Sequence, residues 1–158
     1  MSNTDAGALG LLLAVGGLIL LVLVLVGIVF YILMAIGLFT MAKSEKLENP
    51  WFAFVPFLNL YIWGKLVGQL RIGSMDIPSP EIVLPVAALI SIILGNIAVI
   101  GPLISLAYLV LVIIAYFSLY KRYSPNNAIL YTVLSIVLPF MGPVFIFMLR
   151  NATPVIEV

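Results

Sequence analysis

The sequence predicts an all-α, polytopic integral membrane protein: about four transmembrane helices plus one re-entrant or interfacial helix, in a single domain over residues 1–158. Three observations carry that expectation. The 158 residues are 65% hydrophobic and 8% charged, with a mean hydropathy of +1.32, whereas soluble domains run near half apolar and a quarter charged. Uncharged apolar runs of spanning length recur at about 11–40, 82–100, 103–120 and 128–149. The basic residues collect in connections that fall on one side of those spans, the bias that marks a cytoplasmic face.

The first run, Gly7 to Met41, carries no charge and as a helix would be about 50 Å long at about 1.5 Å per residue. That exceeds the ~30 Å hydrocarbon core. Either the helix tilts strongly and protrudes, or Gly16-Gly17 breaks it so that about Ile19 to Phe39 spans. A cleaved leader is the rival reading, but it wants a basic start, and Met1 to Gly7 offers only Asp5.

Next comes Asn49 to Lys65, whose uncharged stretch is short and interrupted by Pro56. A run of this kind predicts a re-entrant or interfacial element over 50–70, with Trp51 and Trp63 as interface anchors. Gly73 to Glu81 reads as a short polar connector. The spans 82–100 and 103–120 are separated by Gly101-Pro102, which punctuates a tight turn, so they form an antiparallel hairpin. The last run, 128–149, is long enough to cross, with Pro139, Gly142 and Pro143 kinking it. Asn49-Pro50, Ser79-Pro80 and Ser124-Pro125 each pair a capping residue with Pro at a first helical position.

Charge sets the topology. If 50–70 does not cross and the N-terminus lies outside, then Lys43, Lys46, Lys65, Arg71, Lys121 and Arg122 face the cytoplasm, with Arg150 alone outside. If that segment crosses, the bias vanishes. In a variant, the Pro-broken final segment also enters and leaves on one side and brings Arg150 in.

The composition excludes several classes of chemistry. Without Cys or His, thiol nucleophiles, disulfides, Cys/His zinc sites and Ser-His-Asp triads are ruled out. None of Asp5, Glu45, Glu48, Asp76, Glu81 and Glu157 lies inside an apolar run, where a buried acid would carry ions or protons. A net charge of +1 and the lack of a basic stripe give nucleic acid nothing to bind. No cofactor, no metal and no catalytic set is expected.

Trp51, Pro56, Asn59, Lys65 and Gly68 stand at a spacing that resembles a family of uncharacterised small bacterial membrane proteins, a domain of unknown function sometimes joined to signal peptidase. The resemblance continues at Tyr120-Lys121 and at Leu138-Pro139-Phe140 with Pro143. It departs from the family over Gln69 to Pro80, a polar insertion. It implies a fold and a bacterial cell membrane, and supplies no activity. The two halves also echo one another: a span ends in basic residues, a capped Pro follows, then Val55-Pro56-Phe57 or Leu138-Pro139-Phe140. Paired broken segments of this kind point to a site between repeats.

Candidate partner, lipid or pore contacts are therefore Trp51, Pro56, Asn59, Lys65, Arg71, Asn96, Pro139 and Pro143. Asn59 and Asn96 are polar groups near membrane depth that need partners. They bind either a substrate or a neighbouring helix, and Asn96 also lies near the Gly101-Pro102 turn. Lys65 and Arg71 reach lipid phosphates or snorkel to the headgroups. Ala87, Ser91 and Gly95 on the second span, and Gly10, Ala14 and Gly17 on the first helix, form small-residue faces that admit another backbone. Tyr108, Tyr116, Tyr120 and Tyr123 lie mostly along one side of the third span and line either a cavity or an ordinary packing face. The functional expectation is a non-enzymatic accessory or scaffolding subunit that binds membrane lipids and either a partner membrane protein or itself. The alternative is a small oligomeric channel or transporter with its path at the Pro-broken segments.

Overall fold

The structure, a computed structural model, describes residues 3–72 and 75–155. Gly73, Ser74 and Glu157, counted above in the connector and among the acids, lie outside the described residues. The chain is all-helical apart from one two-stranded hairpin. Two of its helices, over Leu9–Ser44 and Ile100–Tyr123, are long and apolar enough to cross a membrane.

Helix α1 runs from Asn3–Ser44 without a break. Its interior has no Pro, and Leu and Ala with high helix propensity flank Gly16-Gly17. Of the two alternatives, the break at the glycine pair is therefore absent. At about 1.5 Å per residue α1 is about 63 Å long. Every described side chain from Leu9 to Val29 is exposed, whereas Ala35, Leu38, Met41 and Ala42 are buried.

After α1 the chain enters the body through a 3-10 turn, Pro50–Phe54, and leaves it by α2, Leu58–Val67. Phe54 reaches the level of the middle of α1: its carbonyl accepts from the Tyr31 hydroxyl at 3.0 Å, and its ring lies 5.4 Å from that of Phe39. The turn between the limbs, Val55-Pro56-Phe57, puts Phe57 at φ 67°, a strained conformation for a bulky residue. At the other end of α2 the Leu66 carbonyl accepts from Arg122 at 2.5 Å, so both ends of 50–67 lie at one end of the body.

The polar insertion over Gln69 to Pro80 contains a β-hairpin, with β1 (Leu70–Ile72) and β2 (Met75–Ile77) antiparallel and Arg71 opposite Asp76. Helix α3 (Pro80–Leu94) starts on Pro80 as expected. Gly64 fixes where α2 crosses it, because a Cβ there would collide with the Pro80 and Glu81 backbone. Helix α4 covers Ile100–Tyr123. The turn between them is Gly95 to Val99, and Gly101-Pro102 lies inside the first turn of α4. That corrects the expected turn: a Pro in the first helical turn lacks only an N–H that would be unbonded anyway. The close approach is made by Gly101 on Gly95, where a Cβ would meet the Gly95 carbonyl carbon at 2.7 Å.

The final apolar run departs most from expectation. It is two short helices, α5 (Ala128–Val137) and α6 (Met141–Met148), joined by Leu138-Pro139-Phe140. The Phe140 ring lies 5.8 Å from Phe30, and a Cβ on Gly37 would lie 2.8 Å from Ile146. Arg150 to Pro154 line one cleft with Thr40, Ser44 and Glu45. Helix α6 therefore runs beside α1 in the same direction, back to the end where α5 began. The Val155 N–H donating to the Arg122 carbonyl at 2.8 Å closes the circuit. The run 128–149 is thus a hairpin and does not form one kinked helix. Pro139 follows a residue driven to extended backbone, Leu138 at ψ 86°, which ends α5 there.

All seven basic residues sit at this shared end: at the close of α1, α2, α4 and α6 and on β1. Arg150 joins them because the last segment doubles back. The core lies in the adjoining half of the body and is built from Leu38, Met41, Ile62, Leu66, Leu119, Tyr120 and Ile146.

Candidate functional site

The two hairpins reach the same turn of α1, one at Phe30 and the other at Tyr31. Helix α1 contacts both limbs of the first hairpin and the leaving limb of the second, α6; helix α4 contacts the entering limb of the second, α5, and joins α3 and α1 against the leaving limb of the first, α2.

Where they converge on α4 the interior is aromatic. Trp63 lies 4.6 Å from Tyr116, which stacks at 5.6 Å on Tyr120, while Tyr131 and Phe145 stack at 4.3 Å beside it. Ser135 donates to the Tyr131 carbonyl at 2.7 Å, and the Tyr120 hydroxyl lies 2.9 Å from the Ser135 hydroxyl and 3.5 Å from the Gly142 carbonyl. The Trp63 indole N–H is buried and has no acceptor. Gly142 makes room for Tyr116, whose Cζ would lie 2.8 Å from a Cβ at that position. Trp63, Tyr116, Tyr120, Tyr131 and Phe145 thus form one contiguous aromatic cluster at this centre.

At the basic end a second cluster joins three segments. Arg122 pairs with Glu45 at 2.9 Å and donates to Leu66, and Tyr123 donates to the other Glu45 oxygen. Both charged side chains are about seven-eighths buried (13% and 14% exposed), which makes the pair far more sensitive to truncation than a surface one. Arg122 Nε has no partner. The sequence gives Arg122 only a topological role and Glu45 only a place among the acids outside the apolar runs, because nothing in spacing alone connects residues so far apart in the chain. Among the described residues, no group of three or more acids is placed to hold a metal ion.

The residues singled out in the sequence scatter. Asn59 is buried in the first turn of α2, Trp51 is exposed and Trp63 is buried; Trp63 is thus part of the core, against the expectation of an interface anchor. Pro56 and Pro139 stand exposed at the two tips, and Pro143 is half-buried on α6. Lys65 folds over Tyr61 at 5.4 Å, and Arg71 pairs with Asp76 at 2.5 Å. Asn96 is exposed in the α3–α4 turn. Ala87 packs on the core and lines a groove with α4, and Gly95 meets Ser105, so that small-residue face packs within the chain. Gly10 and Gly17 have nothing within 4 Å, and Ala14 is exposed. Of the tyrosines, Tyr116, Tyr120 and Tyr123 face inward and Tyr108 lines the α3–α4 groove. No family model, no curated protein and no solved structure matches the chain.

Proposed function

We propose that this is a multi-pass protein of a bacterial cell membrane, with α1, α3 and α4 as crossings, two hairpins entering from the cytoplasmic face, and the N-terminus outside. In this arrangement all seven basic residues lie on the cytoplasmic side, the full form of the positive-inside bias. It revises four crossings to three. The resemblance carried by Trp51, Pro56, Asn59, Lys65 and Gly68 fits this reading.

Within that membrane the protein acts as a non-enzymatic accessory or scaffolding subunit. One observation carries this: the apolar half of α1, Leu9 to Val29, projects from the body with every described side chain exposed and its small residues Gly10, Ala14 and Gly17 uncovered. Helix α1 is about 63 Å long against about 36 Å for α4. A span that exceeds its own bundle by this much presents apolar length for another helix to pack on. Photo-crosslinkers placed singly along Leu11 to Ile28 test it. Adducts to a protein subunit recurring with helical period support the reading, and adducts to lipid alone at every position refute it.

The meeting of two Pro-broken tips on one turn of α1 favours a second reading, a small channel or transporter. The contiguous aromatic cluster at the centre opposes it. Solute flux in proteoliposomes, abolished by Asn59→Leu, would establish it.

A further inference from the structure

A groove of about 380 Å³ runs along the outside of the body between α4 and α5, walled by Ile113, Ile114, Phe117, Ile129 and Val133. Its walls are apolar. The hydroxyl of Thr132, also in the lining, donates to the Ala128 carbonyl at 2.7 Å and is not offered to the groove. Ile129 and Val133 are 71% and 50% exposed, so the trough opens outward. At its basic end stand two cations. Arg71 lines the groove itself, and the Lys121 ammonium sits 6.0 Å from the centre of the Phe117 ring. Arg71 is held there by β-hairpin pairing with Asp76, through Nε at 2.5 Å.

We infer that this groove binds one anionic phospholipid of the surrounding bilayer, its acyl chain along Ile113, Phe117, Ile129 and Val133 and its phosphate on Arg71 and Lys121. The inference rests on the membrane reading above. An apolar trough rimmed by two cations at the cytoplasmic end matches a lipid in both parts: the chain fills the trough, and the guanidinium fork takes phosphate oxygens in charge-assisted bonds. Cytoplasmic leaflets supply such anionic headgroups. A free anion would use the cations and leave the trough empty. Lys65, which the sequence paired with Arg71 for this role, lies over Tyr61 and is replaced by Lys121.

The test reconstitutes the whole chain in phosphatidylcholine nanodiscs containing a minor share of phosphatidylglycerol, releases it into mild detergent and counts retained lipids by native mass spectrometry. One phosphatidylglycerol per chain is expected, retained in preference to phosphatidylcholine. Arg71→Ala lowers retention about tenfold, the scale of one lost charge-assisted contact. Ile129→Trp, which fills the trough and leaves both cations, lowers it too. Asp76→Asn removes a competing anion beside Arg71 and raises retention. If Arg71→Ala and Asp76→Asn act alike, the ion pair serves only the hairpin and the inference fails. Equal retention of both lipids, or displacement of phosphatidylglycerol by millimolar inorganic phosphate, also overturns it. Failure to enter the nanodisc at all overturns the membrane reading, whereas entry with no retained lipid overturns this site alone.

Discussion

Gly142→Ala tests the doubling-back of the last segment by the sign of its effect. If 128–149 were one helix starting level with Tyr123, Gly142 would lie about 21 Å along it, while Tyr116 lies only about 10 Å from the same end of α4. The two residues would be about 10 Å apart in depth and unable to touch. A glycine replaced by alanine within a helix then stabilises by about 0.5–1 kcal/mol. In the observed fold the new methyl meets Tyr116 at Cζ (2.8 Å) and Cε1 (3.1 Å), and the hydroxyl is nearer still. The ring has little room to yield, wedged between Trp63 at 4.6 Å and Tyr120 at 5.6 Å. Overpacking of this kind costs about 1–3 kcal/mol, so the net expectation is a loss of about 1–2 kcal/mol, or a fall in Tm of about 2–8 °C for a chain of this size. Thermal unfolding in nanodiscs, followed by the fluorescence of Trp51 and Trp63, reads it. In a Tyr116→Leu background the same change should be neutral or stabilising, a coupling of about 1–3 kcal/mol. A stabilising Gly142→Ala in the parent chain would refute the contact, and with it the hairpin.

Three further outcomes are expected. Glu45→Ala strands the Arg122 guanidinium, which already has an unpartnered Nε, and should cost about 2–4 kcal/mol in the same assay; Glu45→Met combined with Arg122→Met should recover part of that loss. Because the chain has no cysteine of its own, single Cys at Asn127, Asn151 and Asn96 report topology cleanly. A membrane-impermeant maleimide should label positions 127 and 151 from one side of sealed vesicles and position 96 from the other, whereas labelling of 127 and 151 from opposite sides would restore the four-span arrangement. Gly64→Val forces a branched side chain into the Pro80–Glu81 backbone and should lower stability by about 1–3 kcal/mol, while Gly10→Val, with nothing within 4 Å, should leave it unchanged within about 1 kcal/mol.

Much of the local structure was legible. Long uninterrupted Leu/Val/Ile runs can satisfy their backbone only as helix, so α1 and α4 follow from composition, and Ser79-Pro80 marks the start of α3. The sequence also marks a break at Pro56, and the structure turns there, between Pro50–Phe54 and α2. The candidate site was much less so. Trp63 was read as an interface anchor because tryptophan favours interfaces on average, yet Tyr116 on α4 draws it inside. The Glu45–Arg122 pair joins residues that sequence distance gives no reason to connect.

What the sequence by itself determined is the class of solvent-facing surface and the sorting of charge: apolar runs with few breaks, and every Lys and Arg beside a run's end. Those are local properties, set by side-chain transfer energies and backbone satisfaction. What only the tertiary structure decided is how the Pro-broken runs are used. A run of the length of 128–149 can cross or double back, and each choice satisfies its own helical hydrogen bonds. The difference lies in side-chain fit between distant elements, with Gly37 admitting Ile146, Gly142 admitting Tyr116, and Phe140 reaching Phe30. Fit of that kind is a property of two surfaces brought together, and neither surface encodes it alone.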